Sequence, residues 1–144
     1  MNKLQQNLYD LLIELDNICS KYDIQYYLAY GTTLGAIRHK RFLPWDDDID
    51  LFITRDNFNK LTEIIENDES VLPDGRSLIY NENTTYYSNL LARYVNNDTT
   101  AIYISQSFTA KACGQHIEFF IWIPCPMMKK KGKNIMSSLG YTPS

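Results

Sequence analysis

Four aspartates fill four of the five consecutive positions 46–50, immediately before an apolar segment, and they are the residues best suited to chemistry. Carboxylates held this close raise one another's pKa unless a cation lies among them. Because successive side chains of an extended strand point to opposite faces, Asp46, Asp48 and Asp50 would share one face. Hard cations such as Mg²⁺ take oxygen ligands, commonly one or two carboxylates together with substrate phosphates. The spacing therefore predicts a metal and phosphate site at the entrance of a central strand over residues 46–54.

A second segment with suitable chemistry is Gly31-Thr32-Thr33, which lies between a predicted strand and a predicted short helix. Backbone amides at the start of a helix bind anions, and a threonine hydroxyl adds a further donor. Gly31 would either let the backbone approach a ligand closely or take a conformation that a side chain disfavours. The segment predicts a phosphate site, and the alternative is that Thr32 or Thr33 only caps the helix.

Basic residues that could contact phosphate follow in two places. Arg38 belongs to a basic segment, residues 38–41, and could bind phosphate oxygens in a bidentate manner. His39 is a weaker candidate for acid–base chemistry, because a histidine in such a segment is more often structural. Arg93 lies on a predicted strand, where contact with a substrate phosphate and a solvent-facing position are equally compatible with the sequence.

Taken together, the strings G-T-T-L-G-A-I-R-H and P-W-D-D-D-I-D resemble the LicD family, which includes bacterial phosphocholine transferases and the animal proteins fukutin and fukutin-related protein. Gly31-Thr32 followed by Asp48-Ile49-Asp50 is also similar to the signature of the nucleotidyltransferase fold. The resemblance is strong over residues 1–55 and loose beyond them. It implies an α/β fold, with a nucleotidyltransferase-like mixed β-sheet flanked by helices.

The resemblance also implies an activity. Asp48 and Asp50 would hold Mg²⁺ or Mn²⁺, while the segments around Gly31 and the basic residues contact phosphate. A phospho-alcohol group such as phosphocholine would pass from a CDP-activated donor to a sugar hydroxyl of a cell-surface glycan or its precursor. Two alternatives stay open: transfer of a nucleoside monophosphate by a nucleotidyltransferase, and a non-catalytic remnant that binds nucleotide only.

The resemblance supplies a third carboxylate as well. Glu118 interrupts the apolar segment 116–123, where an ionised acid is costly unless it is paired or bound to a metal. It matches the third acidic position of the family, and would act as a metal ligand and catalytic residue with Asp48 and Asp50. The alternative is an edge-strand glutamate that points into water. Glu118 and Asp46 are both candidates for the base that takes the proton of the acceptor.

The remaining elements follow from apolar periodicity and turn residues. Residues 4–22 show helical spacing, and Thr54 should cap a helix that includes Phe58 and Leu61. The predicted loops are a hairpin turn at 96–98 and a connection at 111–115. The predicted strands are residues 24–30, 78–80, 90–95, 101–105 and 116–123.

Composition limits the class of protein. The 144 residues carry a net charge of −3, which argues against a general nucleic-acid binder. Cys19, Cys113 and Cys125 form no metal-binding pattern and are expected to be reduced thiols. No apolar run approaches the roughly 20 residues that a membrane span needs, and no signal-peptide core is present, so a cytoplasmic location is expected.

The predicted organisation is a core domain followed by a tail. Residues 1–126 should form a LicD-like domain that lacks the C-terminal extension usual in the family. Residues 127–144 form a basic tail with a run of lysines. Such a tail is most simply solvated, although peripheral contact with anionic lipid stays open.

Overall fold

The computed structural model describes residues 1–81, 91–101 and 113–123, and it confirms the predicted mixed α/β fold. The residues outside these ranges include the predicted basic tail and Cys125, and also most of the predicted strand 101–105. The elements of the described part are α1 (Lys3–Lys21), β1 (Tyr26–Leu28), α2 (Tyr30–His39), β2 (Asp50–Thr54), α3 (Arg55–Asn67), a short 3-10 helix (Glu69–Val71), β3 (Arg76–Ile79), β4 (Ala92–Ala101) and β5 (Cys113–Trp122).

The five strands form one sheet in the order β1-β2-β5-β4-β3. The pairing of β2 with β5 is parallel, and the other three pairings are antiparallel. Strand β5 therefore lies in the middle of the sheet, with the acidic end of β2 on one side and β4 on the other. In this register Glu118 lies opposite Asp50 on β2 and opposite Arg93 on β4.

The core lies on one face of the sheet, where the apolar residues of alternating strand positions are fully buried. Leu51 and Ile53 of β2 and Phe119 of β5 have essentially no exposed surface. Helices α1 and α3 cover this face with the apolar sides that the helical spacing predicts. They contribute Leu8, Leu11, Leu15, Phe58 and Leu61 to the same cluster. Asp50 and Phe52 lie on the other face of the sheet, at the start of β2, and are only partly buried.

Local sequence explains where two of the helices begin. Asn2 caps α1 by accepting a hydrogen bond from the Gln5 amide at 2.8 Å, and the Gln5 side chain accepts from the Asn2 amide. This reciprocal arrangement is a capping box. The hydroxyl of Thr54 accepts from the Asn57 amide at 3.3 Å, which confirms the predicted cap of α3.

The predicted turn at 96–98 is wrong, because β4 continues through these residues to Ala101. The strand is irregular between Asn96 and Ala101. The Thr99 hydroxyl donates to the Asn96 carbonyl and accepts from the Gln115 amide of β5, each at 2.8 Å, so a side chain replaces part of the ladder. The predicted loop at 111–115 is also wrong at its end, since β5 begins at Cys113.

Two expectations about composition can be compared with the structure. Cys19 is a free, buried thiol, and burial together with the charge of Asp16 raises its pKa to about 12. None of the helices within residues 1–81, 91–101 and 113–123 combines the length and the apolar character that crossing a bilayer requires.

Gly35 provides a test of how tightly α2 packs against the loop that follows it. A Cβ at this position would stand 2.7 Å from the Arg41 carbonyl oxygen and 2.9 Å from the Leu43 nitrogen. Alanine normally favours a helix over glycine by about 1 kcal/mol, but here it meets backbone atoms. We expect Gly35→Ala to lower the free energy of unfolding by about 1–3 kcal/mol in urea titrations. Asn17→Ala, at an exposed position of α1, is the control, and unchanged or higher stability of Gly35→Ala would contradict the packing.

Candidate functional site

The start of α2 is hydrogen-bonded to the start of β2 through the backbone of Asp50. The Ala29 amide donates to the Asp50 carbonyl at 2.9 Å, and the Asp50 amide donates to the Thr32 hydroxyl at 3.0 Å. The helix begins at Tyr30, earlier than predicted, and its N-cap residue is Ala29. The interpretation of Thr32 or Thr33 as the cap is therefore wrong, and Thr32 instead links the two elements.

Tyr30 occupies an unusual backbone conformation beside this junction. Its φ of 42° is in the left-handed region, which an aromatic residue rarely adopts. Its ring packs against Phe52 and Phe120, with centroid distances of 5.1 and 4.9 Å. These contacts give a physical reason for the conformation to persist. Tyr30, Phe52 and Phe120 thus form an aromatic surface beside the pair Asp50 and Glu118.

Asp46, Asp47 and Asp48 precede the strand, contrary to the prediction of one strand over residues 46–54. Strand β2 begins at Asp50, and residues 43–49 form a loop, which we call the acidic loop. The loop contains a turn in which the Asp46 amide donates to the Leu43 carbonyl at 3.1 Å. Ile49 is fully buried, whereas Asp47 and Asp48 are exposed and Asp46 is partly buried.

Gly31 admits the carboxylate of Asp46 to the start of α2. A Cβ on Gly31 would lie 2.8 Å from Asp46 Oδ2. The φ of Gly31 is not in the left-handed region, so close approach is the reason for glycine here. The atom Asp46 Oδ2 is buried, and within the described part of the chain it has no hydrogen-bond partner. This buried carboxylate oxygen therefore lies beside the first turn of α2, at the end of the helix where the helix dipole favours negative charge.

The carboxylates of the acidic loop act on one another. Desolvation, followed by the charges of Asp50 and Asp46, raises the pKa of Asp48 to about 6. Desolvation, followed by the charge of Glu118, raises the pKa of Asp50. Both shifts arise first from burial and then from neighbouring carboxylates of like charge.

Glu118 has a different environment from the aspartates. Arg93 Nε and Nη2 donate to Glu118 Oε1 at 3.0 and 2.7 Å, and His116 Nε2 lies 3.5 Å from the same oxygen. Hydrogen bonding by His116 and Arg93 lowers the pKa of Glu118 against the opposing effect of burial. Glu118 lies on the central strand, with 22% of its side chain exposed, so the alternative of an edge-strand residue pointing into water is wrong.

Arg93 and His116 form the support of this carboxylate. Arg93 is 7% exposed, which excludes the solvent-facing position, and His116 is 5% exposed. His116 was not among the predicted site residues. Its spacing of two from Glu118 on one strand places both side chains on one face, which is the signal that could have found it. Its Nδ1 lies 2.9 Å from the Gly114 carbonyl oxygen, and this contact orients the ring.

Two predicted residues lie away from this junction. Arg38 is exposed in the last turn of α2, so it stands about 10 Å along the helix axis from Gly31 at a rise of 1.5 Å per residue. His39 ends the helix and is partly buried. Thr33 lies in the first turn, where its amide donates to the Ala29 carbonyl at 3.1 Å. The structure thus brings together Gly31, Thr32, Asp46 and Asp50, with Glu118 and Arg93 on the adjoining strands.

The carboxylates at this junction meet only part of what a hard divalent cation needs as ligands. Within residues 1–81, 91–101 and 113–123, no three side chains of His, Cys, Asp or Glu form a group that could hold a metal ion by themselves. Mg²⁺ in phosphate-transfer sites needs fewer, because one or two carboxylates are completed by water and substrate phosphates. Asp48 and Asp50 are the two carboxylates that could meet this need, and neighbouring carboxylates add to the effect of burial in raising the pKa of each.

This geometry defines a class of protein. It is a mixed α/β domain in which carboxylates lie where the start of a helix meets two parallel strands. The family model described as "LicD/FKTN/FKRP, nucleotidyltransferase domain" matches residues 23–126. The chain belongs to this family, so the resemblance inferred from its motifs is confirmed.

Individual relatives match over shorter segments. The chain is 49% identical over 47 residues to the lipopolysaccharide cholinephosphotransferase LicD of Haemophilus influenzae, which is 33% of this chain and 18% of that protein. It is 36% identical over 59 residues to an uncharacterized protein of Rickettsia prowazekii, or 41% of this chain and 22% of that protein. The matches thus span about a fifth of these relatives.

The crowding of carboxylates predicts how stability changes with pH. The folded-state pKa of Asp48, about 6, exceeds its ordinary value of 3.8, so the folded chain binds more protons between these values and stability falls as pH rises through them. Asp48→Asn removes this loss. We expect it to raise the free energy of unfolding at pH 7 by about 1 kcal/mol, since solvent screens an exposed group. Below pH 4 the gain should disappear.

Asp47→Asn is the matched control, because Asp47 lies in the same loop and makes the smallest contribution to the pKa of Asp48. Urea titrations of the parent and both variants at several pH values provide the measurement. Equal stability of Asp48→Asn and the parent at pH 7 would contradict the proposed repulsion.

Proposed function

We propose that this chain is the nucleotidyltransferase-type domain of a metal-dependent phosphotransferase. It would move a phospho-alcohol group, such as phosphocholine, from a CDP-activated donor to a sugar hydroxyl of a cell-surface glycan or its precursor. The observation that carries the proposal is the junction of the α2 start, Asp50 and Glu118. Family membership and the similarity to a cholinephosphotransferase support it. We keep the cytoplasm as the proposed location.

Asp48 and Asp50 would hold Mg²⁺ or Mn²⁺ in this proposal. Such an ion, when bound, neutralises charge that develops on the transferred phosphoryl group. Glu118 contributes the third carboxylate from the neighbouring strand. Because its Oε1 is engaged by Arg93, its contribution is a fixed negative charge beside Asp50, and ligation of the ion falls mainly to the two aspartates.

The donor phosphates would bind at the start of α2. The backbone around Gly31 and the hydroxyls of Thr32 and Thr33 lie at the positive end of the helix dipole. Arg38 would reach phosphate oxygens only from the far end of the helix. Arg93 is engaged with Glu118, so we assign it to holding that carboxylate in preference to direct phosphate contact.

The acceptor hydroxyl must lose a proton during transfer. Of the two candidates for the base, Glu118 is the weaker, because its Oε1 already accepts two hydrogen bonds from Arg93. Asp46 is then the candidate that we favour. Its carboxylate lies against Gly31, next to the proposed phosphate site.

A direct test uses CDP-choline that carries label in the choline and in the cytidine. We expect the chain to bind CDP-choline only with Mg²⁺ or Mn²⁺, and to release CMP in the presence of a lipopolysaccharide acceptor. Asp50→Asn should weaken metal-dependent binding at least about tenfold, because one of the two ligands loses its charge. Asp47→Asn should bind as the parent does.

The products separate this function from its alternatives. A nucleotidyltransferase would consume CTP and release pyrophosphate, whereas the proposed reaction releases CMP. A folded chain that binds CDP-choline with a metal but never turns it over would support the non-catalytic remnant. Metal-independent binding, or equal binding by Asp50→Asn, would contradict the proposal.

Glu118→Gln tests the third carboxylate. The change keeps the shape but removes the charge that faces Arg93 and Asp50, so the ion pair between the buried guanidinium and residue 118 is lost. We expect the free energy of unfolding to fall by about 1–3 kcal/mol at pH 7, and metal affinity to fall as well. Glu63→Gln, at an exposed position of α3, is the control. Full metal affinity in Glu118→Gln would exclude this carboxylate from the site.

A further inference from the structure

Gln5 is a buried polar residue far in sequence from the acidic loop, yet in contact with it. Only 4% of its surface is exposed, although it lies in the first turn of α1. It also lies outside residues 23–126, which the family model covers. An amide buried to this degree must satisfy its hydrogen bonds within the protein, because an unsatisfied donor carries its full desolvation cost.

The side chain of Gln5 uses each of its polar atoms. Its Nε2 donates to the Leu43 carbonyl at 3.1 Å and to the Asp46 carbonyl at 2.8 Å. Its Oε1 accepts from the Asn2 amide at 3.3 Å, within the capping box. A glutamine amide has two N–H donors, so both are committed to the acidic loop.

The two carbonyls are the ends of the turn that begins the acidic loop. The Leu43 carbonyl also accepts from the Asp46 amide at 3.1 Å. The side chain of Leu43 is itself buried. Gln5 therefore bonds to both ends of this turn and fixes its position relative to α1. The Asp46 side chain leaves from the same residue and lies against Gly31.

We propose that Gln5 is a positioning residue for the acidic loop, and that it sets where Asp46 and the following aspartates stand relative to β2. The inference rests on the proposed function only for its consequence in metal binding. The geometry requires a side chain with two donors and this length. A carboxylate at the same position would face two carbonyl oxygens, and an apolar side chain would leave both carbonyls without this donor.

The test compares Gln5→Met with two controls in the same helix. Asn2→Ala removes the hydrogen bond to the Gln5 amide, so it costs about 1 kcal/mol of stability while leaving the bonds to the loop in place. Gln6→Met makes the same chemical change at a neighbouring residue, whose side chain bonds only to Asp10 among the contacts described.

Two readouts are taken for each protein. The first is hydrogen exchange of the Asp46 amide in metal-free protein, followed by NMR. The second is Mn²⁺ affinity, followed by electron paramagnetic resonance. In Gln5→Met we expect Asp46 exchange to rise and Mn²⁺ affinity to fall by about tenfold each, in keeping with two lost hydrogen bonds. Both controls should stay within about twofold of the parent, well below that change.

The outcomes separate this inference from the proposed function. A parent that does not bind Mn²⁺ would contradict the metal site, and amide exchange would still decide on Gln5. Parent-like exchange and affinity in Gln5→Met would overturn the inference, as would equal effects in Asn2→Ala. Should Gln5→Met fail to fold, Gln5→Asn shortens the amide and takes its place. In the parent, rapid solvent exchange of the Gln5 side-chain amide protons would also overturn the inference.

Discussion

The parallel register between β2 and β5 is the constraint on which the site depends. It sets Asp50 level with Glu118, at a sheet end where two carboxylates repel each other. Glu118 is compensated by Arg93 and His116, which face it from β4 and β5. Burial, followed by neighbouring carboxylates, raises the pKa of Asp48 and Asp50, and this cost of negative charge is the physical reason to expect a cation beside them. Fold and proposed chemistry are therefore consequences of one strand pairing.

The same constraint explains why a helix and a loop converge on Asp50. The backbone of Asp50 is bound on both sides by the start of α2, through Ala29 and Thr32. Gly31 leaves room for the Asp46 carboxylate, and Gln5 holds the turn from which that carboxylate leaves. The start of α2 and the acidic start of β2 are thus built as one unit.

Much of this arrangement could be predicted from the sequence, because short-range patterns carry it. The alternation around Ile49 separates an acidic from an apolar face, and a lone acid within residues 116–123 predicts a partner for Glu118. The resemblance of the two motifs to the LicD family linked segments that lie far apart in the sequence. Apolar periodicity alone could not link them. The turn expected at 96–98 failed for a physical reason: asparagine and aspartate favour turns, but the Thr99 hydroxyl stabilises an irregular strand by donating to the Asn96 carbonyl and accepting from the Gln115 amide of β5. Gln5 was missed because its role arises only from tertiary contacts, whereas the spacing of two between His116 and Glu118 on one strand could have indicated His116.

The central claim is that a divalent ion binds where the acidic loop meets β2 and β5. Paramagnetic broadening of the ¹H–¹⁵N spectrum by substoichiometric Mn²⁺, in the presence of CDP-choline, tests it most directly because the signals nearest the ion disappear first. The account predicts that the first losses are residues 46–50, followed by 30–33 and 117–119. Earliest loss at the exposed acidic positions of α3, with the signals of residues 46–50 unchanged, would contradict it.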